Sequence, residues 1–285
     1  MKYAVFLPNL VSLRGNPYWD LLASSLKTHD ITVVENNPNS ISLRWLLRNR
    51  GTISVLHYHY IQDEYAYEYT HARLRWVLRF FRNLIVARLL GYRIVWTMHN
   101  LQPSHPLKPA WVEQLAHWVI ATLSHSVIVH CESARELLAK TYGRRRNVII
   151  AYHPHFIDIY PATITRELAR SRLGLNKAHR VLLYFGGIRP NKGIEDLISS
   201  FKTIIDPNLR LIIAGAPQVD PGYVDRLVSL STGDDRIIFK AERIPDQEVP
   251  VLFGAADLVT LPFARVLTSS SLALAMSFAR PVVVP

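Results

Sequence analysis

Short apolar runs alternate with stretches of helical periodicity from one end of the chain to the other, and this alternation leaves few folds open. Strands are expected at 3–7, 31–34, 53–58, 93–98, 126–130 and 148–151. Helices are expected between them at 18–28, 41–48, 71–90, 110–123 and 133–142. A less regular, Pro-containing stretch follows (152–176), and then the alternation restarts. Its second run has strands at 181–185, 209–214, 236–240, 258–261 and 281–284, with helices at 193–205, 222–231, 247–255 and 268–278. Strand–helix alternation builds parallel sheets covered by helices on both faces. The reading is therefore an α/β chain of two Rossmann-like parallel-sheet domains, 1–160 and 161–285, with a cleft between them. A length of 285 residues and 49% apolar composition suit two cores of ordinary size. The chain stops at "RPVVVP", after what reads as a central strand with no covering helix. A fragment or an unusually small, incomplete second domain is expected.

Charge narrows the partners. The net charge is +11, of which +8 lies up to Thr165 and +3 beyond it. Such an excess favours phosphorylated ligands, nucleic acid or an acidic membrane surface, without choosing among them. No apolar run reaches the ~18–20 residues of a membrane span. The N-terminal "MKYAVFLPNLVSL" reads as a first strand rather than a signal peptide. One cysteine, Cys131, excludes an internal disulfide framework and a multi-thiolate zinc site, so a reducing, cytoplasmic setting is expected.

The stretch "YFGGIRPNKGIEDLISSF" carries the most chemistry. A buried strand leads into Gly186-Gly187, a turn holds Arg189 and Lys192, and Ile194, Leu197, Ile198 and Phe201 recur at helical spacing. Ligands of open α/β sheets bind beyond the carboxyl ends of strands, at helix N-termini. Glycines let the backbone approach a ligand, Arg supplies a planar fork and Lys a mobile charge. A diphosphate clamp and a solvated basic turn both fit these residues. Further on, "VLTSSSLALAMSFARPVVVP" puts Ser269, Ser270 and Ser271 at the start of an apolar helix, where they either cap it or help hold an anion.

Taken in order, "FGGIRPNKGIEDLI", "LIIAGAP", "EVPVLFGAADLVTLP" and "SLALAMSFARPVVVP" resemble the donor-binding half of the retaining family-4 glycosyltransferases of GT-B fold, across roughly 181–285. The N-terminal half resembles them more weakly, through its strand–helix pattern, "NPYWDLLASSL" and "IVWTMHN". The resemblance implies a retaining hexosyltransferase that moves sugar from a UDP- or GDP-sugar to a glycan or lipid-linked acceptor, with no metal and no further cofactor. It places Gly187, Arg189, Lys192 and Ser269–Ser271 at the donor diphosphate, and His99 near the transferred sugar. Two glutamates that the family commonly carries fall on Val266 and Leu274, so the carboxylates expected at the sugar and ribose are missing. A non-catalytic GT-B-like partner subunit is the alternative reading.

Other residues are less decisive. Gly15 and Asn16 of "SLRGNPYW" either shape an acceptor loop or form an Asn-Pro helix entry. His153, at the domain junction, either lines the cleft or packs the linker. His57 and His59 share a strand face, but no third ligand is evident and no metal site is expected. Residues 72–93 hold arginines and no acid, with Leu74, Val77, Leu78, Phe81, Ile85 and Leu89 at helical spacing and Trp76 and Phe80 beside them. That segment suits either a helix on an anionic membrane or a core helix with solvated arginines. Because many such transferases act on lipid-linked acceptors, a peripheral position on the inner face of the cytoplasmic membrane is expected. No nucleic-acid module is recognisable, and no nucleic-acid partner is expected.

Overall fold

A computed structural model describes residues 2–9, 16–35, 37–67, 71–100, 108–160, 164–218, 221–263 and 266–285. The chain divides into two compact units, Met1–Pro154 and His155–Pro285.

The first unit is built on strands β1 (Lys2–Leu7), β2 (Ile31–Val34) and β3 (Ile53–Tyr58), a small antiparallel pair β4 (Ala66–Tyr67) and β5 (His71–Ala72), and β6 (Arg93–Thr97), β7 (Ser126–Val129) and β8 (Val148–Ile150). All but the small pair form one parallel sheet in the order β2-β1-β3-β6-β7-β8. Helices α1 (Pro17–Lys27), α2 (Leu43–Asn49), α3 (Leu74–Leu89), α4 (Ala110–Leu123) and α5 (Glu132–Tyr142) connect the strands. Val5, Phe6, Leu56, Ile94, Trp96, Val127 and Val129 are buried along the sheet, as strands covered on both faces require.

The second unit opens with α6 (Arg166–Arg172), inside the stretch expected to be irregular. Its strands β9 (Arg180–Phe185), β10 (Leu209–Ala214), β11 (Ile237–Lys240), β12 (Leu258–Thr260) and β13 (Val282–Val283) alternate with α7 (Ile194–Lys202), α8 (Pro221–Ser231), α9 (Val249–Ala255) and α10 (Ser270–Ser277). The sheet order is β11-β10-β9-β12-β13, again parallel. The last strand, expected to be central, pairs with β12 at the end of this order.

Helix α3 buries one side and exposes another. Val77, Phe80, Asn83, Leu84 and Ala87 are its buried side. Of the stripe that suited either a membrane surface or a core, Val77 is buried, whereas Leu74, Leu78, Ile85 and Leu89 are exposed, Leu78 to 54% and Leu89 to 81%. The helix also starts three residues later than expected, because His71–Ala72 pairs with Ala66–Tyr67.

Candidate functional site

In each unit the chemistry gathers at the carboxyl ends of parallel strands. The strand order of the second unit reverses direction at β9 and β12, the place where open α/β sheets leave a crevice for ligands. Gly186 and Gly187 follow β9 directly, and a single 3₁₀ turn, Pro190–Lys192, leads to Gly193 and α7. The Tyr184 hydroxyl donates to the Gly187 carbonyl at 2.9 Å and braces the turn. Ile188 exchanges backbone hydrogen bonds with the loop after β10, donating from its N to Ala216 O at 2.9 Å and accepting at its O from Gln218 N at 3.1 Å.

Close packing explains two of the glycines. A Cβ on Gly186 would lie 2.7 Å from the Ser271 hydroxyl oxygen, so the start of α10 sits on the turn. Gly193 has φ +66°, and a Cβ there would meet the Pro262 carbonyl oxygen at 2.1 Å. That contact joins the turn to the segment after β12. Phe263, two residues beyond Leu261, places its ring centroid 3.8 Å from Lys192 Nζ.

Burial lowers the Lys192 pKa to about 8, and repulsion from Arg189 adds to the shift. Two cations sharing a partly dehydrated turn form a site that an anion would stabilise. Of the three serines, Ser269 is committed to capping: its hydroxyl accepts from Leu272 N at 3.2 Å. Ser270 is the first residue of α10, and Ser271 faces Gly186. Phe263 and Gln218, whose amide lies against Gly187, did not stand out in the sequence. A strand end falling at a switch point is the only signal that could have marked them.

The first unit gathers histidines. His57 lies in β3, His59 just after it, His99 after β6, His130 after β7 and His153 after β8. Neighbouring strands bring these ends together. His59 Nδ1 lies 3.2 Å from His99 Nε2, and His99 Nδ1 lies 3.3 Å from His130 Nε2. His130 Nδ1 lies 2.7 Å from the Ala151 carbonyl oxygen, and His57 Nε2 lies 2.7 Å from Thr97 Oγ1. Tyr18, Trp19 and Tyr60 close around the group, with the Tyr18 and Trp19 rings each 5.4 Å from that of His99.

Burial pushes all five imidazoles toward the neutral form. It lowers the His57 pKa to about 3, with His130 adding repulsion. His59 and His99 are held well below the ordinary range, first by burial and then by neighbouring histidines. His130 and His153 shift the same way. A cavity of about 190 Å³ lined by Tyr18, His57, Thr97, His130 and Tyr152 borders the cluster.

The remaining expected positions divide. His153 joins the cluster's edge, its ring 5.3 Å from Tyr18, and its Nδ1 donates to the Pro154 carbonyl at 3.0 Å. Asn16 caps α1, accepting from Tyr18 N at 3.1 Å ahead of Pro17, so the Asn-Pro helix entry is the arrangement found. Gly15 lies outside the described residues. Among the described residues no group of three or more His, Cys, Asp or Glu is arranged to hold a metal ion.

Comparison with known proteins bears on both units. Residues 179–285 match the family model described as Glycosyl transferases group 1. A Xanthomonas campestris pv. campestris protein named GDP-mannose:glycolipid 4-beta-D-mannosyltransferase is 31% identical over 206 residues, covering 71% of this chain and 52% of its own length. A Rhodococcus jostii D-inositol 3-phosphate glycosyltransferase is 26% identical over 188 residues, covering 60% of this chain and 41% of its own. The chain thus spans about half the length of the curated relatives it matches. Among solved structures, Anabaena HepE in complex with UDP and glucose covers 100% of this chain with 80% of its own, at TM-score 0.67 and 18% identity. That likeness shows the fold, two parallel-sheet units of the GT-B type.

Proposed function

We propose that the protein transfers a hexosyl group from a nucleoside-diphosphate sugar to a glycan or lipid-linked acceptor, as the match of residues 179–285 to the glycosyl transferases group 1 family model supports. One observation carries the reading: within the family-matched segment, Arg189 and the half-dehydrated Lys192 share the glycine turn at the β9/β12 switch point. When the bond from the anomeric carbon to the diphosphate breaks, negative charge develops on the leaving oxygen. Preorganised cations and helix-start amides stabilise that charge. Arg189 and Lys192 supply it without a divalent ion, so chelator leaves transfer unchanged in this reading.

The donor is a GDP- or UDP-sugar. GDP-mannose comes first because the Xanthomonas relative is named for it, and UDP-glucose second because the HepE structure holds UDP and glucose. Thermal-shift measurements with GDP-mannose, UDP-glucose and ADP-glucose, followed by transfer assays, test the proposal. Stabilisation by one of the first two and transfer in the presence of EDTA are expected. Failure of all three donors to bind would sink the reading. Retention is the stereochemistry expected from the family resemblance, whereas the Xanthomonas relative is named for a β-linkage, which from an α-linked donor is inversion. The anomeric configuration of the product decides it, and a β-linked product from the α-linked GDP-mannose would replace retention by inversion.

The acceptor end involves a membrane surface. The Xanthomonas relative is named for a glycolipid, and α3 offers a matching surface. Leu74, Leu78, Ile85 and Leu89 are exposed beside the exposed Arg75, Arg82 and Arg88, with no acidic residue on the helix. No described helix is long and apolar enough to cross a membrane, so the contact proposed is peripheral, on the inner face of the cytoplasmic membrane. The protein is expected to co-sediment with vesicles containing anionic lipid, less so with neutral vesicles or at high salt. Leu78→Glu with Leu89→Glu is expected to abolish sedimentation; undiminished sedimentation of that variant removes α3 from the interface.

A further inference from the structure

The histidines of the first unit are joined in a chain with a direction. A carbonyl oxygen only accepts, so the 2.7 Å contact to Ala151 requires that His130 Nδ1 carry the proton. A neutral His130 then has a bare Nε2, and the hydrogen bond to His99 requires His99 to donate from Nδ1. That leaves His99 Nε2 bare, and it accepts from His59 Nδ1–H. His59, 3% exposed, ends the chain with a bare Nε2, and among the described residues nothing hydrogen-bonds to that atom. One backbone carbonyl therefore orders the tautomers of three rings that are 40 and 31 positions apart in sequence.

We propose that His130 is a positioning residue that locks His99 in the Nδ1–H tautomer, so that His99 Nε2 meets its ligand as a hydrogen-bond acceptor. The ligand class follows. A sugar or acceptor hydroxyl can replace His59 Nδ1–H at that nitrogen. A phosphate oxygen or a ring oxygen, having no proton to give, cannot. His59 occupies the position until a hydroxyl arrives and keeps His99 from turning. The same kind of second partner orients metal-ligating histidines, where losing it lowers metal affinity or activity by about 10- to 100-fold. This inference rests on the proposed transferase activity for its ligand, but the tautomer itself is independent of that reading.

Long-range proton–nitrogen correlation spectra of the full chain, labelled in histidine, measure the tautomer directly. His99 is assigned by comparison with His99→Gln. In the unsubstituted protein His99 and His130 are expected to show a pyrrole-like Nδ1 and a pyridine-like Nε2. An Nε2–H tautomer at His99 overturns the proposal. His130→Phe removes the acceptor, and His99 Nδ1 is expected to become pyridine-like in a measurable share of molecules. His130→Gln, whose side-chain oxygen can accept in place of Nε2, is expected to keep the lock. In transfer assays His130→Phe is expected to lower kcat about 10- to 100-fold with the donor KM within about twofold, and His130→Gln to recover most of it. An unchanged tautomer or an unchanged kcat in His130→Phe overturns the lock. If His130→Phe does not fold, the spectra of the unsubstituted protein and of His130→Gln still decide. Absence of transfer by the unsubstituted protein, with the tautomers as expected, would count against the proposed function alone.

Discussion

Lys192→Ala is expected to weaken binding of the nucleoside-diphosphate donor by roughly 10- to 150-fold, and Arg189→Ala by a similar factor. In the proposed clamp each change would remove a charge-assisted hydrogen bond to phosphate, worth about 1.5–3 kcal/mol, and each 1.4 kcal/mol is about tenfold in affinity. The lysine also predicts a pH dependence. Its pKa is lowered to about 8, chiefly by burial and then by Arg189. Only the ammonium form attracts the diphosphate, so affinity is expected to fall as pH rises through 8. Lys192→Ala should lose that dependence while retaining the weaker binding. Isothermal titration with the donor at several pH values measures both effects. Equal affinity of Lys192→Ala and the unsubstituted protein would remove the clamp from the site. The contact with Phe263 gives the lysine a partner that does not compete with phosphate: its ammonium rests on a ring face at 3.8 Å.

Mild acid is expected to destabilise the first unit. The buried histidines set the sign. Unfolded histidine titrates near 6.5, whereas His57 in the folded unit titrates at about 3 and His59 and His99 well below the usual range. Below pH 6.5 the unfolded chain therefore binds more protons than the folded one, and stability falls with pH. It is fully present above 6.5 and is lost progressively as pH drops toward the folded-state values. At pH 5 His57 alone costs about 2 kcal/mol, and His59 and His99 act in the same direction. Such costs draw on the ~5–15 kcal/mol that holds a domain folded. All six tryptophans, from Trp19 to Trp118, lie before residue 155. Tryptophan fluorescence thus reports this unit alone. Its melting temperature is expected to drop by many degrees between pH 7.5 and pH 5, and an unchanged value would show that the imidazoles charge without penalty.

The features legible in the sequence are those written in neighbouring residues. The run Val181, Leu183, Tyr184, then Gly186-Gly187, then Ile194, Ile198 and Phe201 spells strand, turn and helix within about twenty positions, and these apolar side chains are buried as the periodicity requires. Parallel sheets followed from the alternation of such units, and the basic glycine turn stood out because its residues are adjacent. Where a chain segment carries two possible faces, adjacency is silent. Helix α3 has apolar residues on both sides, and packing against the rest of the unit selected Val77, Phe80 and Leu84 while leaving Leu78 and Leu89 in solvent. The histidine chain was equally hidden. His59, His99 and His130 appear in sequence as a strand pair, a lone residue and an unremarked one. The order β3-β6-β7 brings their strand ends side by side. Local side-chain pattern decided which elements form, since helix and strand periodicity are properties of a few consecutive residues. Strand order decided which distant side chains meet, and a carbonyl at Ala151 decided which way their protons point, because hydrogen-bond partners across a sheet are made by folding and are not written along the chain.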